Sequence, residues 1–338
     1  MTGGTLLTVT PNPSLDRTYE VPALERGAVL RAAADRVDPG GKGVNVSRAV
    51  AAAGHPTVAV LPLGGPEGAL LGALLSAHGI DVAGVPVSGS TRVNVAVAEP
   101  DGTLTKINAA GPELSAHEAE TLLETVRSRA AGDGAAWIAC CGSLPRGLTP
   151  QWYAVLVARA HRAGARIALD TSGPSLTAAL REHPDVVKPN SEELAQAVGR
   201  PLATVGDALT AAGELRRRGA RTVLASLGAD GQLLVEADAA HFAAAPVAVV
   251  RSNVGAGDAS LAGFLAAGGA GPQALAQAVA HGAAAVQLPG SAMPEPADVR
   301  RAAADVTVTA DVPLDRPLTD PPDPGPTPRD SQRQRSLP

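Results

Sequence analysis

The chain has 338 residues, of which 45% are hydrophobic and 18% charged, with a net charge of −5. This composition suits one large or two ordinary globular domains and excludes a wholly disordered chain. The acidic balance speaks against nucleic acid as a partner, and no run of 18 apolar residues offers a membrane span.

Taken in chain order, residues 6–10 read as a strand. Residues 14–21 and 28–37 read as extended segments joined by a turn near Glu25–Gly27. A helix over 43–54, a strand over 57–63 and a helix over 66–79 follow, the last two glycine-stopped helices ending at Gly54 and Gly79. Residues 91–99 and 103–108 flank a Pro-Asp-Gly turn and predict a hairpin. Strand and helix then alternate: helix 115–131, strand 136–141, helix 150–163, strand 165–170, helix 174–182, strand 185–188, helices 190–198 and 204–218, strand 220–226. A second hairpin covers 231–245, and 256–305 is helical with breaks near 269–272 and 288–296.

Alternation of this kind implies a central, mostly parallel sheet flanked by helices. The extended pieces near 14–37 and 91–108 fall outside it. They are expected to pair into a small separate sheet, a lid over a site. Residues 311–338 hold eight prolines and both charge signs, and are expected to be a disordered tail after a domain spanning 1–310. The N-terminus lacks a basic leader, so a cytoplasmic protein is expected. Cys140 and Cys141 are adjacent in an apolar run and read as small buried residues of a reducing compartment. The seven histidines show no metal spacing.

One anomaly runs through the composition. The chain has 25 Arg but only three Lys (42, 106 and 188), and only six Asn (12, 45, 94, 108, 190 and 253). Where Arg is the default cation, a retained Lys suggests a need for a compact ammonium. All nine positions lie in or beside turn-rich segments.

Those segments carry the chemistry. Asn-Val-Gly-Ala-Gly-Asp-Ala-Ser (253–260) opens a helix. The backbone of Gly255, Ala256 and Gly257 would form an anion site suited to a developing phosphoryl charge, and Asp258 could take a proton from an attacking hydroxyl. A plain helix-capping aspartate after a glycine turn would look the same. Gly40, Gly41 and Gly43 open another helix, with Lys42 in the loop and Asn45 one turn on. The spacing is not that of a Walker A loop, and no dinucleotide fingerprint follows the first strand. Asp16 leaves the first strand's carboxyl edge, where a carboxylate can accept two vicinal hydroxyls. Arg92 and Lys106 sit on the two hairpin strands as cations for a phosphate. Ser143 ends a strand. Asn190 and Glu193 read either as a capping box or as holders of a hydrated Mg²⁺ beside Lys188. Ser226, Gly228 and Gly231 form a further strand-end turn.

In this order, TPNPSLD, PGGKGVNVSRA, TRVN, GSLPRG, VKPNSEEL, SLGADG and VGAGDAS resemble the ribokinase/PfkB sugar-kinase family, over about residues 5–305, and most closely its sugar-phosphate branch. The resemblance implies a ribokinase-like fold with a β-sheet lid that also serves as a homodimer contact. It implies ATP and Mg²⁺ as cofactors and a small sugar phosphate as substrate. Asp258 would be the base, and Gly255, Ala256 and Gly257 the anion hole. Asp16, Gly40, Gly41, Lys42, Asn45, Arg92, Lys106 and Ser143 would face the sugar phosphate. Lys188, Asn190, Ser226, Gly228 and Gly231 would face the nucleotide, with Asn190 and Glu193 holding Mg²⁺ through water. Lys42 and the late LPGSAMP (288–294) favour fructose 1-phosphate, phosphorylated to the 1,6-bisphosphate. Fructose 6-phosphate and tagatose 6-phosphate are the alternatives, and a non-catalytic binding regulator is the alternative of another class. The chain departs from the family pattern at Ala259, where Ser is usual, and at Asn253, where Thr or Ser is usual.

Overall fold

The computed structural model describes residues 4–319. Its elements in chain order begin with β1 (Leu6–Val9), β2 (Ser14–Glu20), β3 (Ala34–Gly40), α1 (Lys42–Ala52), β4 (Thr57–Leu63), α2 (Gly65–Ala77) and β5 (Asp81–Pro86). Next come β6 (Arg92–Ala98), β7 (Leu104–Ile107), α3 (Ala116–Gly132), β8 (Trp137–Cys141), α4 (Gln151–Arg162), β9 (Arg166–Asp170) and α5 (Gly173–Leu180). They are followed by β10 (Val186–Val187), α6 (Ser191–Val198), α7 (Val205–Arg217), β11 (Thr222–Ser226), β12 (Gln232–Val235) and β13 (Ala240–Ala244). The last are α8 (Ala256–Ala266), α9 (Gly271–Ala285), α10 (Pro296–Ala303) and β14 (Thr307–Thr309).

Ten strands form the central sheet in the order β14-β13-β12-β11-β10-β9-β8-β1-β4-β5. From β11 through β5 all neighbours are parallel, and the β12–β14 edge is antiparallel. Both faces are covered, so strand residues are apolar on both sides. Leu7, Val9, Ile138 and Cys140 pack with residues of α3, α4, α5 and α7, whereas Leu6, Trp137, Ala139 and Cys141 pack with α1, α8 and α9. This parallel arrangement delivers the carboxyl ends of β1, β8, β9, β10 and β11 to one edge. The turns after these strands, at Ser143, Lys188–Asn190 and Ser226–Gly231 among them, leave from that edge, while the Gly40–Gly43 loop and Arg92 come from the second sheet.

The lid expectation holds. A separate four-stranded sheet has the order β3-β2-β6-β7, with β2 and β6 parallel and the outer pairs antiparallel. Leu15, Val37 and Val93 on one face pack into a cluster with Val44, Leu61, Leu71 and Leu75, which fixes the lid to α1, α2 and β4. On the other face Asp16 stands opposite Asp38 and Asn94.

The structure corrects three readings. The second lid strand is 34–40, not 28–37, and it contains Pro39, which an edge strand tolerates because no ladder N–H is needed there. β5 and β14 are additional edge strands. The expected disordered tail does not begin at 311. Val205 N–H donates to the Arg316 carbonyl and Gly206 N–H to the Leu314 carbonyl, each at 2.9 Å, so residues 314–316 satisfy two orphan donors of the first turn of α7. Leu318 is buried at 6% exposure and its N–H donates to Ala203. The remainder of the expected tail, 320–338, lies outside the described residues.

Candidate active site

The centre of the site is a cluster of charge where two strand ends meet three helix starts. β9 ends on Asp170, which is 1% exposed. Its carboxylate lies 2.6 Å from Lys42 Nζ, at the start of α1, and 2.8 Å from Lys188 Nζ, just after β10. Lys42 also reaches Glu193 Oε1 at 3.1 Å. Burial alone would discharge these groups. Here burial of both ammoniums is outweighed by Asp170, and for Lys42 also by Glu193, so both lysines are held protonated. Burial likewise works against the Asp170 charge, and Lys188 and Lys42 overcome it and hold its carboxyl below the ordinary value.

Asp258 lies in the first turn of α8. Its Oδ2 accepts a 2.9 Å hydrogen bond from Asn45 Nδ2. Burial and the neighbouring Asp170 charge push its carboxyl up to about 6, against the pull of the Asn45 bond and of Lys188 and Lys42. The Asn45 amide is oriented in turn by Arg48, whose Nη1 donates to Asn45 Oδ1 at 3.3 Å and to Ser291 Oγ at 3.3 Å. Gly255 caps α8 with φ +80°, in the left-handed region, and a Cβ there would come within 2.9 Å of Met293 Cε. No side chain caps this helix, so its first-turn N–H groups are open to a ligand. A Cβ at Gly257 would stand 3.2 Å from Lys188 Nζ, so that ammonium and the Gly255-Ala256-Gly257 turn are adjacent.

On the lid side, Asp16 Oδ1 accepts from Ser14 Oγ at 2.7 Å and from Asn94 Nδ2 at 2.9 Å. A Cβ on Gly40 would fall 2.5 Å from the Asp16 carboxylate, so only glycine permits this approach. Gly41 has φ +119° and abuts Thr10. Arg92 donates from Nη1 to the Ala109 carbonyl at 2.8 Å and from Nη2 to the Asn12 carbonyl at 2.9 Å. Asn12 Nδ2 reaches Ser143 Oγ at 3.4 Å. Arg92, Asn12 and Ser143 therefore form one group. Lys106 does not join it: it is exposed on β7 opposite Ala96, with no hydrogen bond or ion pair among the described residues.

On the third side, Asn190 and Glu193 do form a capping box on α6, with Asn190 Oδ1 accepting from Glu193 N–H at 2.7 Å. Glu193 still has an oxygen on Lys42, so the cap and the charge cluster share this residue. Ser226 pairs with Asn190 in a parallel bridge, and a short 3-10 turn, Gly228–Asp230, follows it. Gly228 and Gly231 have φ of +61° and +122°.

The sequence reading missed Asp170 and Arg48. Asp170 had a signal, a single acid ending the apolar run RIALD at the carboxyl edge. Arg48 had none beyond being the one cation within α1 after its first residue. At the two departures from the family pattern, Ala259 is fully buried in the core and Asn253 is exposed.

A parallel α/β sheet whose carboxyl edge gathers a raised carboxyl, two ammoniums and an open helix N-terminus defines a phosphotransferase for small molecules. Residues 10–298 match the pfkB family carbohydrate kinase description. The 1-phosphofructokinase of Rhodobacter capsulatus is 41% identical over 265 residues, 77% of this chain and 82% of that protein. The ATP-dependent 6-phosphofructokinase isozyme 2 of Mycobacterium tuberculosis (strain CDC 1551 / Oshkosh) is 36% identical over 302 residues, 88% of each. The phosphofructokinase-2 of Escherichia coli in complex with substrates and products superposes with a TM-score of 0.82 at 33% identity, covering 88% of this chain and 98% of that one. The chain belongs to the pfkB family of carbohydrate kinases, and is an ATP-dependent sugar kinase.

Proposed function

We propose that the protein transfers the γ-phosphoryl group of ATP to the 6-hydroxyl of fructose 1-phosphate, giving ADP and fructose 1,6-bisphosphate. The observation that carries this reading is the buried Asp258, displaced to about 6 beside Lys188 and an uncapped helix N-terminus. A carboxylate near 6 is ionised at neutral pH and basic enough to take the hydroxyl proton as the oxygen attacks phosphorus. The charge then spread over the phosphoryl oxygens would meet the N–H groups of Gly255, Ala256 and Gly257 and the Lys188 ammonium. Asp16, Gly40, Gly41 and Asn45 would hold the sugar hydroxyls, and Arg92 with Ser143 its phosphate. Lys42 would act by fixing Asp170 and Glu193. Lys106 would reach the substrate only by movement of β7.

The nucleotide would lie over Lys188, Asn190, Ser226, Gly228 and Gly231. Among the described residues no group of three or more His, Cys, Asp or Glu forms a metal cage. Mg²⁺ keeps several waters and takes few carboxylates, and Asn190 and Glu193 would hold it through water. It would supply neutralisation of phosphate charge. A homodimer through the lid is part of the same proposal, supported by the half-buried Val95 and Val97 and by Ile107, 64% exposed at the sheet's edge.

A second reading keeps the mechanism and changes the acceptor to fructose 6-phosphate, favoured by the long match to the 6-phosphofructokinase isozyme. The test is kcat/KM with MgATP on fructose 1-phosphate, fructose 6-phosphate and tagatose 6-phosphate, side by side. A preference of about tenfold for fructose 1-phosphate, about 1.4 kcal/mol in the transition state, supports the proposal. A preference for either 6-phosphate replaces the substrate, and ATP binding without turnover on any of the three points to a regulator.

A further inference from the structure

Asp230 ends the Gly228–Asp230 turn and is 4% exposed, yet it has no part in the chemistry above. An ionised carboxylate at such a position must be compensated. Every hydrogen bond that its carboxylate accepts from outside the turn, among the described residues, comes from the C-terminal segment. Thr319 Oγ1 donates to Oδ1 at 2.6 Å, Thr319 N–H to Oδ2 at 2.7 Å, and Arg316 Nη2 to Oδ1 at 3.4 Å. The Arg316 guanidinium also stands 5.7 Å over the Phe242 ring. The same ring lies 3.0 Å from where a Cβ would sit on Gly231, the residue that closes the turn. The segment thus holds the C-terminal end of the turn, directly at Asp230 and through Phe242 at Gly231, while its backbone satisfies two first-turn donors of α7.

We propose that residues 314–319 are a structural part of the nucleotide site, with Asp230, Arg316 and Thr319 acting as positioning residues that set the Gly228–Asp230 turn for ATP. The proposal rests on the reading that this turn lies under the nucleotide. Breaking the clamp loosens the turn without touching Asp258, Asp16 or Arg92. The effect is therefore confined to the nucleotide: KM for ATP rises and KM for the sugar phosphate holds.

The test uses the full-length protein, Asp230→Ala, the milder Thr319→Val, a chain ending at Pro313 and a chain ending at Asp320, with KM measured separately for ATP and for fructose 1-phosphate. Asp230→Ala and the shorter chain are expected to raise KM for ATP about tenfold with KM for the sugar phosphate within about twofold. Thr319→Val should raise KM for ATP by a smaller factor, and covers the case in which Asp230→Ala does not fold. The chain ending at Asp320 should match the full-length protein. Equal rises in both KM values, or none in a folded Thr319→Val and Asp230→Ala, would overturn the clamp. Gly228→Val, which forces a β-branched residue into the left-handed backbone at φ +61° and so disrupts the turn itself, separates the two ideas. If it leaves KM for ATP unchanged, the nucleotide reading of the turn falls. If it raises KM for ATP while the clamp variants do not, only the clamp falls.

Discussion

The floor of the site and its lid are built from the same residue types on opposite terms. In the floor, Asp170, Lys188 and Asp258 are buried and Lys42 closes over them from the half-exposed start of α1, the four drawn from distant segments with two ammoniums sharing one carboxylate. In the lid, Asp16 is held by short-range hydroxyl and amide donors on a four-stranded sheet, and the cations are spread, with Arg92 on two backbone carbonyls and Lys106 in solvent. The difference teaches where each task sits. Phosphoryl transfer needs charges fixed before the substrate arrives, since preorganised groups cost no rearrangement during reaction. Recognition of one sugar phosphate among several needs groups that complete their contacts only when it binds.

The comparison can be broken first at Asp258. Asp258→Asn keeps the shape and the Asn45 contact, and should lower kcat by about 10²-fold or more while leaving KM values nearly unchanged. A near-normal kcat would remove Asp258 from the role of base. The same substitution should raise stability. A carboxyl lifted from 3.8 in the open chain to about 6 in the fold makes the folded state the better proton binder, so its stability falls as pH rises from about 4 to 6. Asp258→Asn should therefore unfold at a higher temperature than the parent at pH 8, with the gap closing by pH 4, as read by calorimetry.

The lid is sharpened at Arg92. Arg92→Ala should raise KM for the sugar phosphate about tenfold and KM for ATP little. Arg92→Lys should recover only part of this, because one ammonium cannot span the Asn12 and Ala109 carbonyls that the guanidinium fork holds together. Equal effects on both substrates would contradict the division between floor and lid. The smallest effect belongs to Lys106→Ala. Exposed and unpartnered among the described residues, it should change kcat/KM by less than about threefold and leave thermal stability unaltered.

Much of this site could be read in the sequence because its parts are turns at strand ends. Lys42 and Lys188, two of only three lysines, meet at one carboxylate, and Asn45 and Asn94 hold Asp258 and Asp16. What stayed hidden depends on distance or on backbone. Asp170 acquires its meaning from Lys42, 128 residues away: the acid that ends RIALD marks a strand's carboxyl end, but nothing local shows the ammoniums that meet it. Asn190 and Glu193 fit two patterns at once, and the fold uses the cap while leaving Glu193 on Lys42. The segment 311–319 looked solvated because proline and charge dominate it, but main-chain carbonyls on α7 and one buried leucine hold it, and composition records neither. β5 and β14 are edge strands, which need less apolar sequence than the central ones.

The central claim is that a buried carboxylate displaced to about 6 accepts the proton of the attacking hydroxyl. The measurement that tests it most directly is kcat/KM for fructose 1-phosphate against pH between about 5 and 9, beside the same profile for Asp258→Asn. Because the base works only when ionised, kcat/KM of the parent should be level above about pH 7 and fall toward tenfold per unit below about pH 6, a fall that Asp258→Asn lacks. A parent kcat/KM that stays level down to pH 5 in a folded protein, or the same fall in both, would contradict the assignment.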